Sequence, residues 1–231
     1  MTRASTAEET IVAAILAGKP GEIFAITGPA GSGKSTAGRV AAAATDCTLY
    51  SADFRFIGDS AQRRLLLDRK QSRSPHDYRD SANQYNWWNW PAIDRDLADL
   101  AHGKTVVLEG PYDRETGRQG ETITIEPRSR ILFEGALLGP PSLVDRCGAI
   151  FFLCTPAHTR LDRIFAKDSS RRSFNDVLAR FLITEYSETI YYRNLFEWSR
   201  EKLTFIDTST GRRCAPPALA EDHFIPLRVT V

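Results

Sequence analysis

No apolar run in this 231-residue chain reaches the length of a bilayer span. The N-terminal one, Ile11 to Ala17, follows Glu8 and Glu9 rather than a basic cluster, so neither a signal peptide nor a membrane helix is expected. Excess charge is missing too. Thirty Lys and Arg against 29 Asp and Glu leave a net charge of +1, which argues against nucleic-acid or membrane partners and confines any basic site to a local patch. Cysteine is scarce and unpatterned: Cys47, Cys147, Cys154 and Cys214 form no Cys-x-x-Cys pair and no zinc spacing with the four histidines. A reduced, cytoplasmic protein with incidental thiols fits, with Cys47 and Cys154 buried in apolar runs. Internal repeats, low-complexity tracts and a guanine-reading Asn/Thr-Lys-x-Asp motif are all absent.

What the chain does have is a sharply defined stretch over residues 22–36. The apolar run Ile23 to Ile26 reads as a buried strand. Gly28-x-x-x-x-Gly33-Lys34-Ser35 follows at once, and then an alanine-rich helical segment, Thr36 to Ala44. Strand, glycine loop and helix in that order are the context in which such a loop cradles phosphate. Gly28, Gly31 and Gly33 free the backbone so that loop N–H groups converge at the positive end of the helix. Pro29, Ala30, Ser32 and Thr36 complete the cradle, Lys34 supplies a mobile point charge, and the Ser35 hydroxyl suits a Mg²⁺ ligand.

Around this stretch, apolar strand-like runs alternate with helical patterns. Thr6 to Ala17 reads as a helix with Thr6 as N-cap, Glu9 three residues on, and Gly18 as its stop. Strands are predicted at Cys47–Ser51, Val106–Leu108, Ile131–Phe133, Ala149–Leu153 and Leu203–Ile206. Helices are predicted at 59–72, from Pro91 to Ala101, from Pro156, and over 173–199 with a wide apolar face. The alternation Thr122-Ile123-Thr124-Ile125 suggests one strand of a small antiparallel ribbon. The fold class that follows is α/β: three layers, a mostly parallel sheet with helices on both faces, a small β-ribbon and a basic helical lid. One domain over 1–231 is expected, with an acceptor-binding insertion at about 72–126 and the lid at about 160–173.

In such a sheet ligands gather beyond the carboxyl ends of the strands, so those ends carry the candidate chemistry. Asp53 stands just past the second strand, where a carboxylate could take a hydroxyl proton or approach Mg²⁺. Glu134 ends the Ile131–Phe133 strand, where an acid would sit near the metal. Arg163 and Lys167, four residues apart, share a helix face in a cluster that runs on to Arg172, and such cations could stabilise a transferring phosphoryl group. The crowded Trp87, Trp88 and Trp90, with Asn86 and Asn89, form either a ring- or sugar-stacking wall or core anchors for a long loop.

The ordered set of motifs resembles the uridine kinase / phosphoribulokinase family of P-loop kinases over most of the chain, from about Ile23 to about Tyr192. It comprises Gly28 to Thr36, Ser51-Ala52-Asp53-Phe54, Tyr85 to Asp94, Gly103-Lys104, Pro111-Tyr112-Asp113, Phe133-Glu134-Gly135, Thr159-Arg160-Leu161-x-Arg163, Lys167-Asp168 and Arg172. The resemblance implies a nucleoside/nucleotide-kinase-like P-loop fold and transfer of the ATP γ-phosphate to the hydroxyl of a small molecule, with Mg²⁺ held by Ser35, Asp53 and Glu134. Asp53 matches the acid facing the acceptor, while Arg163, Lys167 and Arg172 match the lid. Two departures fall on acceptor recognition. Asn86-Trp87-Trp88-Asn89-Trp90-Pro91 stands where uridine kinases read Asn-Phe-Asp-His-Pro, and no histidine follows Tyr112-Asp113 in Arg114-Glu115-Thr116-Gly117-Arg118. A nucleoside-like or sugar-like acceptor with altered edges is therefore expected, contacted by Asp53, Trp88, Asn89, Tyr112, Arg114 and Arg118. A carboxylate-bearing metabolite (pantothenate- or glycerate-like) gripped by Arg114 and Arg118, and a nucleotide switch without transfer, are the alternatives. A homo-oligomer is left open.

Overall fold

The computed structural model describes residues 6–62, 65, 83–113, 116–170 and 172–219. Five short apolar segments pair side by side, all parallel: β1 (Ile23–Thr27), β2 (Thr48–Ser51), β7 (Ile131–Glu134), β8 (Cys147–Cys154) and β9 (Leu203–Asp207), in the order β2-β7-β1-β8-β9. The inner strands β1 and β7 and the second half of β8 are buried on successive residues because both faces of the sheet are covered there, as a parallel sheet requires, while the edge strand β2 alternates.

One face packs α1 (Ala7–Ala17) and α2 (Lys34–Thr45). Ile11, Ile15, Ala37 and Ala41 meet Phe24, Ile26, Leu132, Phe151 and Leu153 there. The other face packs α3 (Trp90–Ala101) and α5 (Phe174–Trp198), where Ile93, Leu97, Tyr191, Tyr192 and Leu195 cover Ala25, Tyr50, Phe133, Ile150 and Phe152. The helix α4 (Ala157–Asp168) follows β8. Helix α1 begins as its sequence requires: the Thr6 side chain accepts the Glu9 N–H, and the Glu9 carboxylate accepts the Thr6 N–H.

Two small antiparallel ribbons flank the sheet. β3 (Val106–Leu108) pairs with β6 (Ile123–Ile125), so the expected ribbon exists and its partner is the Val106–Leu108 run. β4 (Tyr112–Asp113) pairs with β5 (Arg118–Gln119). Most of the helix predicted at 59–72, and the first part of the irregular stretch after it, lie outside the described residues.

Candidate functional site

The glycine loop joins β1 to α2 and is shaped by what surrounds it. Gly31 has φ +80°, and a Cβ there would stand 2.8 Å from the Arg160 carbonyl oxygen on α4; at Gly28 it would stand 2.8 Å from the Leu153 carbonyl oxygen on β8. Both positions therefore require glycine. Lys34 is buried and donates from Nζ to the carbonyls of Gly28 at 2.6 Å and Pro29 at 3.0 Å, folded back along its own loop. Ser32 Oγ is buried without a hydrogen-bond partner, although buried hydroxyls are normally satisfied.

Beside the loop, Ser35 Oγ donates to Glu134 Oε2 at 3.2 Å, and Ser51 Oγ donates to Glu134 Oε1 at 2.7 Å. A hydroxyl and a carboxylate on adjoining elements are oxygen donors of the kind Mg²⁺ takes from a protein when phosphates supply the rest. Among the described residues no cluster of three or more acidic, His or Cys side chains is suited to a metal. A divalent ion would lean on Ser35, Glu134 and its phosphate ligands.

A cavity of about 560 Å³ opens from this loop. Its lining brings together Lys34 and Ser35, the cations Arg39, Arg163, Lys167, Arg172 and Arg180, and the aromatic and neutral polar groups Phe56, Trp87, Tyr112, Ser60, Gln84 and Thr184. There the Tyr112 and Ser60 hydroxyls lie 2.9 Å apart, and Gln84 Nε2 donates to Thr184 Oγ1 at 2.7 Å. A second cavity of about 420 Å³ is lined by Thr6, Ala7, Leu153 and Thr208–Gly211 among others. Gly33, Thr36 and Arg163 border both. Arg163 Nη1 also donates to the Gly31 carbonyl at 3.3 Å, and Arg172 is paired with Asp168. Arg160, one turn before Arg163, is buried and holds α4 to α5 through two bonds to the Glu185 carboxylate, at 2.5 and 2.6 Å.

The predicted acceptor residues divide. Tyr112 lines the cavity. Trp88 does not: it is 3% exposed, stacked on Trp90 in the core, and the neighbouring Trp87 takes the cavity wall. Asn89 is the N-cap of α3, its side chain accepting the Ala92 N–H at 3.1 Å, so its polar end is committed to the helix. Arg118 lies exposed on β5 and is not a lining residue, and Arg114 falls outside the described residues. Asp53 sits in a 3-10 turn, Ala52–Arg55, at the end of β2; it is 9% exposed and is not a lining residue, whereas Phe56, three residues on, is.

Helix α5 contributes what the sequence reading missed: Arg180, Phe181, Thr184 and Glu188 all line the cavity. Glu188 is 2% exposed, and its Oε2 accepts the Ala30 N–H of the glycine loop at 3.1 Å. Burial pushes its proton affinity up to about pKa 7, against the lowering pull of Lys34. A signal was present in the sequence. Phe181, Glu188 and Leu195 recur every seven residues, which sets a carboxylate on the buried stripe of an otherwise apolar face.

No family model matches the sequence, and no curated protein does. Solved structures do. A candidate fructose transport system kinase from Silicibacter sp. TM1040 superposes with a TM-score of 0.59 at 19% identity, covering 80% of this chain and 95% of that one. A D-glycerate 3-kinase from Cryptococcus neoformans var. grubii gives 0.55 at 12% identity, over 87% of this chain and 94% of that one. A candidate uridine kinase from Bacillus stearothermophilus gives 0.48 at 17%, over 71% and 88%. The fold is that of the P-loop kinases. At these identities the likeness is one of architecture alone.

Proposed function

We propose that this P-loop protein is an ATP-dependent small-molecule kinase that moves the γ-phosphate to a hydroxyl of a neutral, sugar-like or nucleoside-like acceptor. One observation carries the reading. A single cavity is lined by Lys34 and Ser35 of the loop segment, by the cations Arg163, Lys167 and Arg172, and by aromatic rings and uncharged hydrogen-bonding groups. Rings stack on the apolar face of a sugar, and hydroxyls and amides match its edges. The second cavity, which shares Gly33, Thr36 and Arg163 with the first, would take the nucleotide base.

In this reading the loop amides and Lys34 hold the phosphates, and Mg²⁺ on Ser35 and Glu134 would neutralise charge on the β- and γ-oxygens. Arg163 and Lys167 meet the charge of the transferring phosphoryl group. The acceptor oxygen bonds to phosphorus as the bond to the ADP oxygen breaks, and the hydroxyl proton passes to a carboxylate. Asp53, off the cavity wall at the end of β2 but three residues before the lining Phe56, holds that role only if it turns toward the bound acceptor. Water must be kept out, since it is itself a hydroxyl nucleophile.

The test is a coupled ADP-release screen over sugars, nucleosides, sugar phosphates and small hydroxy acids. Acceptor-dependent release with a neutral polyol is expected, and Asp53→Asn should lower kcat by about 100-fold or more while leaving ATP affinity nearly intact. Full activity in that variant would remove Asp53 from the chemistry. A hydroxy-acid acceptor is the second reading, favoured by Arg39 and Arg180 on the same cavity and by the glycerate kinase among the structural neighbours. The same panel separates the two. Nucleotide binding with no acceptor-stimulated ADP release would favour a switch over a kinase.

A further inference from the structure

The phosphate loop of this chain is touched by an acid from a helix 158 residues away in sequence. Glu188 Oε2 holds the Ala30 N–H at 3.1 Å, and Glu188 lines the same cavity as Lys34 and Ser35. A negative carboxylate in that position opposes any polyanion settling on the loop. A protonated one does not.

The surroundings can accommodate the protonated form. Tyr192 Oη lies 3.4 Å from Glu188 Oε2 and 2.8 Å from the Ala136 carbonyl. A tyrosine has one proton, and the shorter contact claims it, which leaves the Tyr192 oxygen able to accept a proton carried on Glu188. The charged groups facing Glu188 come from three elements: Lys34 of α2 and Arg160 of α4 favour the carboxylate, while Glu185 on its own helix opposes it.

We propose that Glu188 is a proton-linked residue of the nucleotide site: it holds the Ala30 N–H as a carboxylate while the loop is empty, and takes a proton from solvent when a nucleotide's terminal phosphates seat beside it. The inference rests on the nucleotide-binding part of the proposed function, not on transfer. In the empty protein the group titrates near 7, because burial outweighs the attraction of Lys34. An added polyanion moves it further up. Binding near neutral pH is then coupled to proton uptake.

Calorimetry of a non-hydrolysable ATP analogue with Mg²⁺, in two buffers of different ionisation enthalpy, counts the protons. Wild type should take up close to one proton at about pH 8, and its Kd should rise about tenfold from about pH 6 to about pH 8. Glu188→Gln keeps the shape, Glu188→Met keeps the bulk, and both should lose that uptake and that pH dependence. Equal proton uptake in wild type and both variants would overturn the assignment. A wild-type protein that binds no nucleotide would overturn the nucleotide-site reading as well. Proton uptake without phosphoryl transfer would remove the kinase reading and leave this inference standing.

Discussion

Lys34, Ser32 and Glu188 meet at one loop, and each carries a different obligation there. Lys34 spends its donors on the Gly28 and Pro29 carbonyls, Ser32 Oγ has no protein partner, and Glu188 occupies the Ala30 N–H. Glu188 also makes the unliganded protein sensitive to pH. Its folded pKa, near 7, stands above its ordinary value of 4.5, so the folded state binds the proton more tightly than the unfolded one. The resulting stability is fully present below the ordinary carboxylate range and is lost as pH rises through the folded value, a swing on the order of 3 kcal/mol. Thermal melts of wild type should fall relative to Glu188→Gln between about pH 5 and about pH 8. Parallel curves for the two proteins would show that the carboxyl titrates normally.

Between elements, the bond that matters most for the lid is Arg160 to Glu185. It pins the buried start of α4 to α5, and the Arg160 guanidinium also lies 5.2 Å above the Phe181 ring. The same turn of α4 presses its backbone against Gly31, so the loop and the cation-bearing helix share one wall. Removing the acid strands a buried cation. Glu185→Ala should cost about 3 kcal/mol in urea denaturation and raise the KM for ATP, because Arg163 one turn later loses its anchor. A loss under about 1 kcal/mol would show that α4 is held by apolar packing instead. At this scale the sequence was informative about caps: the Thr6–Glu9 pair announced the start of α1, and the Ser173–Asp176 box starts α5 in the same way. The tryptophan loop was not legible. A 3-10 turn, Gln84–Trp87, breaks the alternation there, so nothing in the order Trp87-Trp88 tells which ring faces the core.

For the molecule as a whole, the sheet was legible because it is written locally. Continuous apolar runs mark strands buried on both faces, and the glycine loop marks where the first one ends. The contribution of α5 to the cavity was hidden because it depends on how that helix lies across the sheet, which no window of sequence contains. Phe133 is the test of that packing. It is fully buried at the heart of the face that α3 and α5 cover, and Phe133→Ala should cost about 3–5 kcal/mol by chemical denaturation. A cost below about 1 kcal/mol would mean the helices do not bear on the sheet as described. The strand that carries Phe133 ends in Glu134, opposite Ile26, and the hydrogen bond from Gly135 N–H to the Ile26 carbonyl at 3.1 Å continues that ladder toward the loop. The spacing between Glu134 and the loop is thereby set by backbone pairing, not by whatever later binds. That flank of the cleft is cut to size during folding, and a ligand finds its seat there already in place.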